Sequence, residues 1–302
     1  MLTLLIFNSH SITCAVNGPL AADISSLAAI YRVLGVPDVT SHFASPAPLL
    51  QVPSSSRNKI LGVPEAWMSA STPGIQRLCN SALQKLVSVH NYALVPITIP
   101  FLIEGQTAHA MTVLTDASTL LPVTKNLTPA NKIMLALGTV TPSIDYLLAQ
   151  KLRNSIMQHL AYLWKSNPGM IIVTPTTSCA GWPIKRGASE LRYGVSDGDR
   201  TKKTMEYVWM ANFTGAPAIT VPVGYVVPEG VKGEGEEAEE LDEGKIPVGL
   251  MGMGEWGAEE DLLGFGADAE ELVEDRRVRS PIWVDIIERA RAEMKNGAGP
   301  SE

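Results

Sequence analysis

Residues 212–253 decide how this chain is read: NFTGAPAITVPVGY over residues 212–225, then an acidic, glycine-rich run, then KIPVGLMGM over residues 245–253. Each apolar piece carries a proline and a glycine among β-branched residues, the pattern of two core strands joined by a polar loop. The segment from Ala218 to Val227 is mostly Ala, Ile, Val and Tyr, and it predicts a strand buried on both faces. Pro222 and Pro247 cannot donate to a ladder, so each is expected at a strand start, an edge or a bulge. Asn212, Gly215 and Gly224 suit tight backbone or close chain approach.

Outward from that pair, the pattern alternates between strands and helices. Asp23 is expected to cap a helix from about Ile24 to Leu34 that ends at Gly35. Lys59 to Val63 reads as a short strand. Thr72-Pro73 opens a helix reaching about Val89, with Ile75, Leu78, Cys79, Ala82, Leu83 and Leu86 as its apolar stripe. Ala93 to Ile99 reads as the next strand, so strand, helix and strand predict a crossover and a parallel pair. Helices are expected over Gln106 to Leu121 and Ser143 to Lys165, then a buried strand from Met170 to Val173 running into Thr174-Pro175-Thr176. Asp199 would cap one helix from Arg200 to Asn212, with Met205, Val208 and Trp209 inward. Glu260 to Ala269 reads as a further helix, and Trp283, Ile286 and Ile287 lie on a last one. The chain thus reads as one α/β domain over residues 1–302, a mixed twisted sheet with helices on both faces. Residues 229–244 are an acidic low-complexity insertion, and residues 290–302 are expected to be a disordered tail.

The wording of the central stretch resembles the amidase signature family, whose C-terminal half carries N-x-x-G-x-P-A, V-P-x-G and P-V-G-L in this order. Asn212, Gly215, Pro217, Ala218, Val221, Pro222 and Gly224 occupy those places, as do Pro247, Val248, Gly249 and Leu250. Gly18, Pro19 and Asp23 resemble the segment that follows the family's catalytic signature. The resemblance implies the amidase signature fold with its N-terminal part missing. It also implies relatives that hydrolyse carboxamide bonds through an acyl-serine, with no metal or organic cofactor. In such enzymes a serine is activated through a cis-linked serine by a lysine of lowered pKa, beside backbone N–H groups that hold the oxyanion. No glycine precedes Gly18 in this sequence, Ser9 and Ser11 are isolated, and the first lysine is Lys59. No catalytic residue is therefore assigned, and the chain is expected to be inactive alone. By the same resemblance, Thr174, Pro175, Thr176, Trp209 and Asn212 are candidates for the substrate pocket. Trp182 and Trp256 are candidates for its apolar wall, with core packing as their alternative role.

Other signals are weaker. Gly194 to Gly198 matches G-x-S-x-G around Ser196, yet the preceding residues are polar and no histidine follows it, against a nucleophile elbow. Ser54-Ser55-Ser56 sits in a proline-flanked loop. The five histidines and three cysteines have no metal-site spacing, so no metal is expected and the cysteines read as buried thiols. Glu259, Glu260 and Asp261 suit a helix start. A net charge of −7 with no basic cluster excludes a nucleic-acid surface. With no secretory leader or transmembrane segment in the pattern, the expectation is a cytoplasmic protein.

Three functional readings follow: a fragment of an amide hydrolase, a non-catalytic relative that binds an acyl or amide ligand or a protein partner, and a transamidating relative. The acidic charge weighs against the third. A sheet lacking part of its cover also predicts self-association through exposed apolar surface.

Overall fold

The computed structural model describes residue 14, residues 18–35, 58–121, 125–181, 198–227 and 246–272, and residue 289. The expected insertion at 229–244, the tail from 290 and the helix around Trp283 fall outside the described residues. One mixed sheet runs through the molecule in the order β2-β1-β3-β5-β4. Its strands are β1 (Ile60–Val63), β2 (Ala93–Pro96), β3 (Met170–Pro175), β4 (Ala218–Val226) and β5 (Ile246–Met253). β1 lies parallel to both β2 and β3, whereas β5 runs antiparallel between β3 and β4.

Helices cover both faces, as the residue pattern implied. On one face α1 (Ile24–Leu34), α3 (Pro73–His90) and α9 (Glu259–Glu271) bury Ile24, Ile75, Leu86 and Phe265 against Leu61, Val173, Val221 and Leu250. On the other, α4 (Leu102–Leu120), α6 (Ser143–Ser166) and α8 (Trp209–Thr214) bury Ala108, Ile156, Leu160 and Phe213 against Met170, Ile172 and Met251. Each of these side chains larger than alanine contributes about 1.5–3 kcal/mol by leaving water.

Local signals set the boundaries. The Asp23 carboxylate accepts from the Ser26 N–H at 2.7 Å, and Gly35 ends α1. Asn91, in the left-handed region at φ 59°, ends α3.

Several expectations needed correction: the strand expected to reach Ile99 stops at Pro96, and the helix expected from Gln106 begins at Leu102. β4 is an edge strand with only one covered face: Ile219 and Val221 are buried, while Ala218, Thr220 and Pro222 are exposed. Its proline causes no conflict, because it sits on the edge strand beside an irregularity between Pro222 and Gly224. The helix expected over residues 200–212 is two, α7 (Gly198–Thr204) and α8. Between them the Tyr207 hydroxyl lies 3.1 Å from the carbonyl of Trp67 and 3.2 Å from that of Met68, and Trp67 Nε1 donates to Glu206 at 2.8 Å. These long-range ties outweigh local helix propensity. Finally, α2 (Glu65–Met68) and α5 (Pro129–Thr139) were not foreseen, although Thr128 caps α5 and Pro129 stands in its first turn.

Candidate functional site

The direction of travel across the sheet reverses between β1 and β3, since β1 connects outward to β2 and β3 lies on its other side. Ground beyond the carboxyl ends of strands at such a point is where open α/β sheets bind ligands. Here the chain's own loops fill it. The Thr72 N–H donates to the Ser178 carbonyl at 2.8 Å, and the Ser178 hydroxyl donates to the Lys203 carbonyl at 2.6 Å. Tyr207 closes the same region from below, and burial pushes its phenol up to about 12, so it stays a donor.

Open ground lies alongside, on β3, β5 and β4. Thr174 and Thr176 alternate with buried residues of β3, so both belong to the face carrying α4, α6 and α8. The Thr176 N–H donates to the Gly249 carbonyl at 2.9 Å. Across Gly249, the hydroxyls of Thr176 and Thr220 stand 3.2 Å apart, and either can be the donor. A Cβ at Gly249 would come within 2.5 Å of Thr176 Oγ1 and 2.7 Å of Thr220 Cγ2. Only a glycine lets the two hydroxyls meet over this strand. One pair of residues inward from the opening, Thr174 is 1% exposed and its hydroxyl has no hydrogen-bond partner among the described residues. A buried hydroxyl left in that state costs about 1–3 kcal/mol.

The structure brings some of the expected pocket residues together and separates others. Thr174 and Pro175 form the end of β3 at this shelf and Thr176 follows directly, with Pro175 in register with Leu250 of β5. Trp209 lies on the same side of the sheet but is fully buried, tilted against Trp67 and Phe213 at centroid distances of 6.1 and 6.2 Å. Its ring is packing material behind the shelf. Asn212 is committed elsewhere, its Nδ2 donating to the Cys14 carbonyl at 2.7 Å. Trp256 follows the far end of β5, stacks edge-on against Trp164 at 5.2 Å and donates to the Thr214 carbonyl at 3.1 Å. That places it at the end of the sheet away from Thr176. Trp182 and Ser196 lie outside the described residues.

Thr220 was the participant not singled out, and Gly249 entered only as a motif position. The alternation Ile219, Thr220, Val221 held the clue, since it turns one hydroxyl away from the core on which its neighbours pack. Among the described residues no group of histidine, cysteine and carboxylate side chains is arranged to hold a metal. No described helix is long and apolar enough to cross a membrane.

Comparison with known proteins agrees with this architecture. A family model described as Amidase matches residues 6–263. Fatty acid amide hydrolases of Medicago truncatula and Arabidopsis thaliana are each 28% identical over 91% of the chain. The chain spans 44% of the length of these curated relatives. Among solved structures, a glutamyl-tRNA(Gln) amidotransferase subunit from Thermotoga maritima superposes with a TM-score of 0.64 at 17% identity. That match covers 90% of this chain and 54% of the other. A crystal structure described as an amidase gives a TM-score of 0.60 at 18% identity, over 84% and 52% of the two chains.

Proposed function

The chain belongs to the amidase family, and from that premise we propose that its β3–β5–β4 shelf binds the carbonyl end of an amide or acyl ligand without cleaving it. The observation that carries the reading is the hydroxyl pair of Thr176 and Thr220 over Gly249, with the Thr174 hydroxyl, unpartnered among the described residues, beneath it. A hydroxyl can donate to a carbonyl oxygen or accept from an amide N–H, so the pair suits both polar atoms of a carboxamide. Relatives named fatty acid amide hydrolase support an amide ligand with a long apolar acyl group. The reading concerns these 302 residues alone: none of those before Gly18 is a glycine or a lysine, so the proposal assigns no activated serine and no base among them.

The experiment is calorimetric titration of the 302-residue chain with long-chain and aryl carboxamides, alongside an assay of ammonia release. Binding of a long-chain amide is expected. Thr176→Val with Thr220→Val should weaken it about fivefold, the worth of one hydrogen bond, and no ammonia should be released. Turnover that Ser196→Ala abolishes would overturn the reading, as would failure to bind any amide.

A further inference from the structure

A shallow groove of about 350 Å³ lies between α4 and α6, away from the hydroxyl shelf. Ala108 and Met111 from α4, with Ala149 and Leu152 from α6, line its apolar part. The charged residues lining it are Glu104, which is exposed, and Asp145, which is half-buried. Two hydrogen bonds fix how the walls run: the Tyr146 hydroxyl donates to Asp116 at 3.2 Å, and Gln150 Nε2 donates to Thr112 Oγ1 at 2.9 Å. As the α6 residue number rises by one turn, the α4 number falls by one turn, so the helices are antiparallel. Glu104 and Asp145, each in the first turn of its own helix, therefore stand toward opposite ends of the pair, about three and a half turns apart. The mouth is as apolar as the floor, with Ile103 70% exposed and Leu148 54% exposed.

The geometry points to a docking site for an amphipathic helix of a partner protein, and we propose that its apolar stripe fills the groove while Lys or Arg residues reach Glu104 and Asp145. Two parallel ridges with an open cleft between them accept a third helix through residues at i, i+3, i+4 and i+7. A small molecule is disfavoured because a groove this open would leave most of it in water. An anionic lipid surface is disfavoured by sign, since the charges in the groove are carboxylates. Each carboxylate also complements the dipole of its own helix, which explains its presence without altering the charge that a ligand meets. This inference is independent of the amide reading.

The test titrates the full chain against a fluorescein-labelled 18-residue Leu/Lys amphipathic peptide and its Leu/Glu counterpart. A parallel arm uses vesicles of phosphatidylcholine and phosphatidylglycerol. The Leu/Lys peptide should bind about tenfold more tightly than the Leu/Glu peptide. Glu104→Gln with Asp145→Asn should weaken it about fivefold, while Glu65→Gln with Glu255→Gln, which removes the same charge elsewhere, should leave it unchanged within about twofold. Equal losses in the two double variants would reduce the effect to general attraction by an acidic protein and sink the proposal. So would no peptide binding, or binding to vesicles alone.

Discussion

The Thr174 hydroxyl sits in the interior with no hydrogen-bond partner among the described residues, so replacing it by a methyl group of the same shape should remove a penalty. Thr174→Val is expected to stabilise the chain by about 1 kcal/mol and raise Tm by about 2–4 °C, read by thermal unfolding. If the shelf binds amides, the same change should weaken that binding, separating stability from function in a single residue. A fall in Tm would show that the hydroxyl has a partner. His109 poses the opposite problem, a titratable ring that folding keeps neutral. It is 6% exposed and lies edge-on to Phe213 at 6.0 Å. Burial first, and the nearby Arg153 second, lower its pKa from 6.5 to about 4. Between those values the unfolded chain binds the proton more readily than the folded one, so stability is full above pH 6.5 and falls as the pH drops toward 4. The loss approaches about 3 kcal/mol at the acid end. Denaturant titrations at pH 7 and pH 4.5 should show a drop that His109→Gln largely removes; an unchanged drop would move its origin to other groups.

At the scale of elements, the contact between α4 and α5 depends on the absence of a side chain. A Cβ at Gly138 would collide with the backbone carbonyl of Leu114, which cannot swing aside as a side chain can. Gly138→Ala should therefore cost about 1–3 kcal/mol despite alanine's better helix propensity, measured as a lowered midpoint in urea. A neutral result would mean that α5 rests only loosely on α4. This contact also shows which features could be read in advance. α1 and α3 were legible to within a residue, α1 from its Asp23 cap and Gly35 terminator, α3 from Pro73 in its first turn and its apolar stripe. The antiparallel β4–β5 pair was legible from its two apolar pieces. The split at residues 205–208 was not, because it is set by Tyr207 and Glu206 reaching α2 some 140 positions away. The shelf was half legible: Thr174 and Thr176 stood out at the end of an apolar strand. Their meeting with Thr220 required the register of two more strands, and the same register carried Trp256 to the other end of the sheet.

For the whole molecule, the balance between covered and uncovered surface decides how the chain behaves in solution. The outer strands β2 and β4 have no further described strand beside them. Pro96 and Pro222, with the irregularity after Pro222, blunt both edges against pairing with another chain. The apolar surface left over lies mainly on helices instead. Along α5 and into α6, Ile133, Leu137, Val140, Ile144 and Leu147 are all more than half exposed. Side chains of this size presented together favour burial against a second copy, and net charge −7 opposes it over long range. Added salt screens the charge within about 8–10 Å and leaves the apolar attraction in place, so association should strengthen with ionic strength. Sedimentation velocity across a range of concentrations in low and moderate salt is the measurement. Ile133→Lys with Leu137→Lys should restore the monomer, because both side chains are already in water and their replacement disturbs no core. A monomer at every concentration would refute the expectation, and association that survives the two lysines would place it on a different surface.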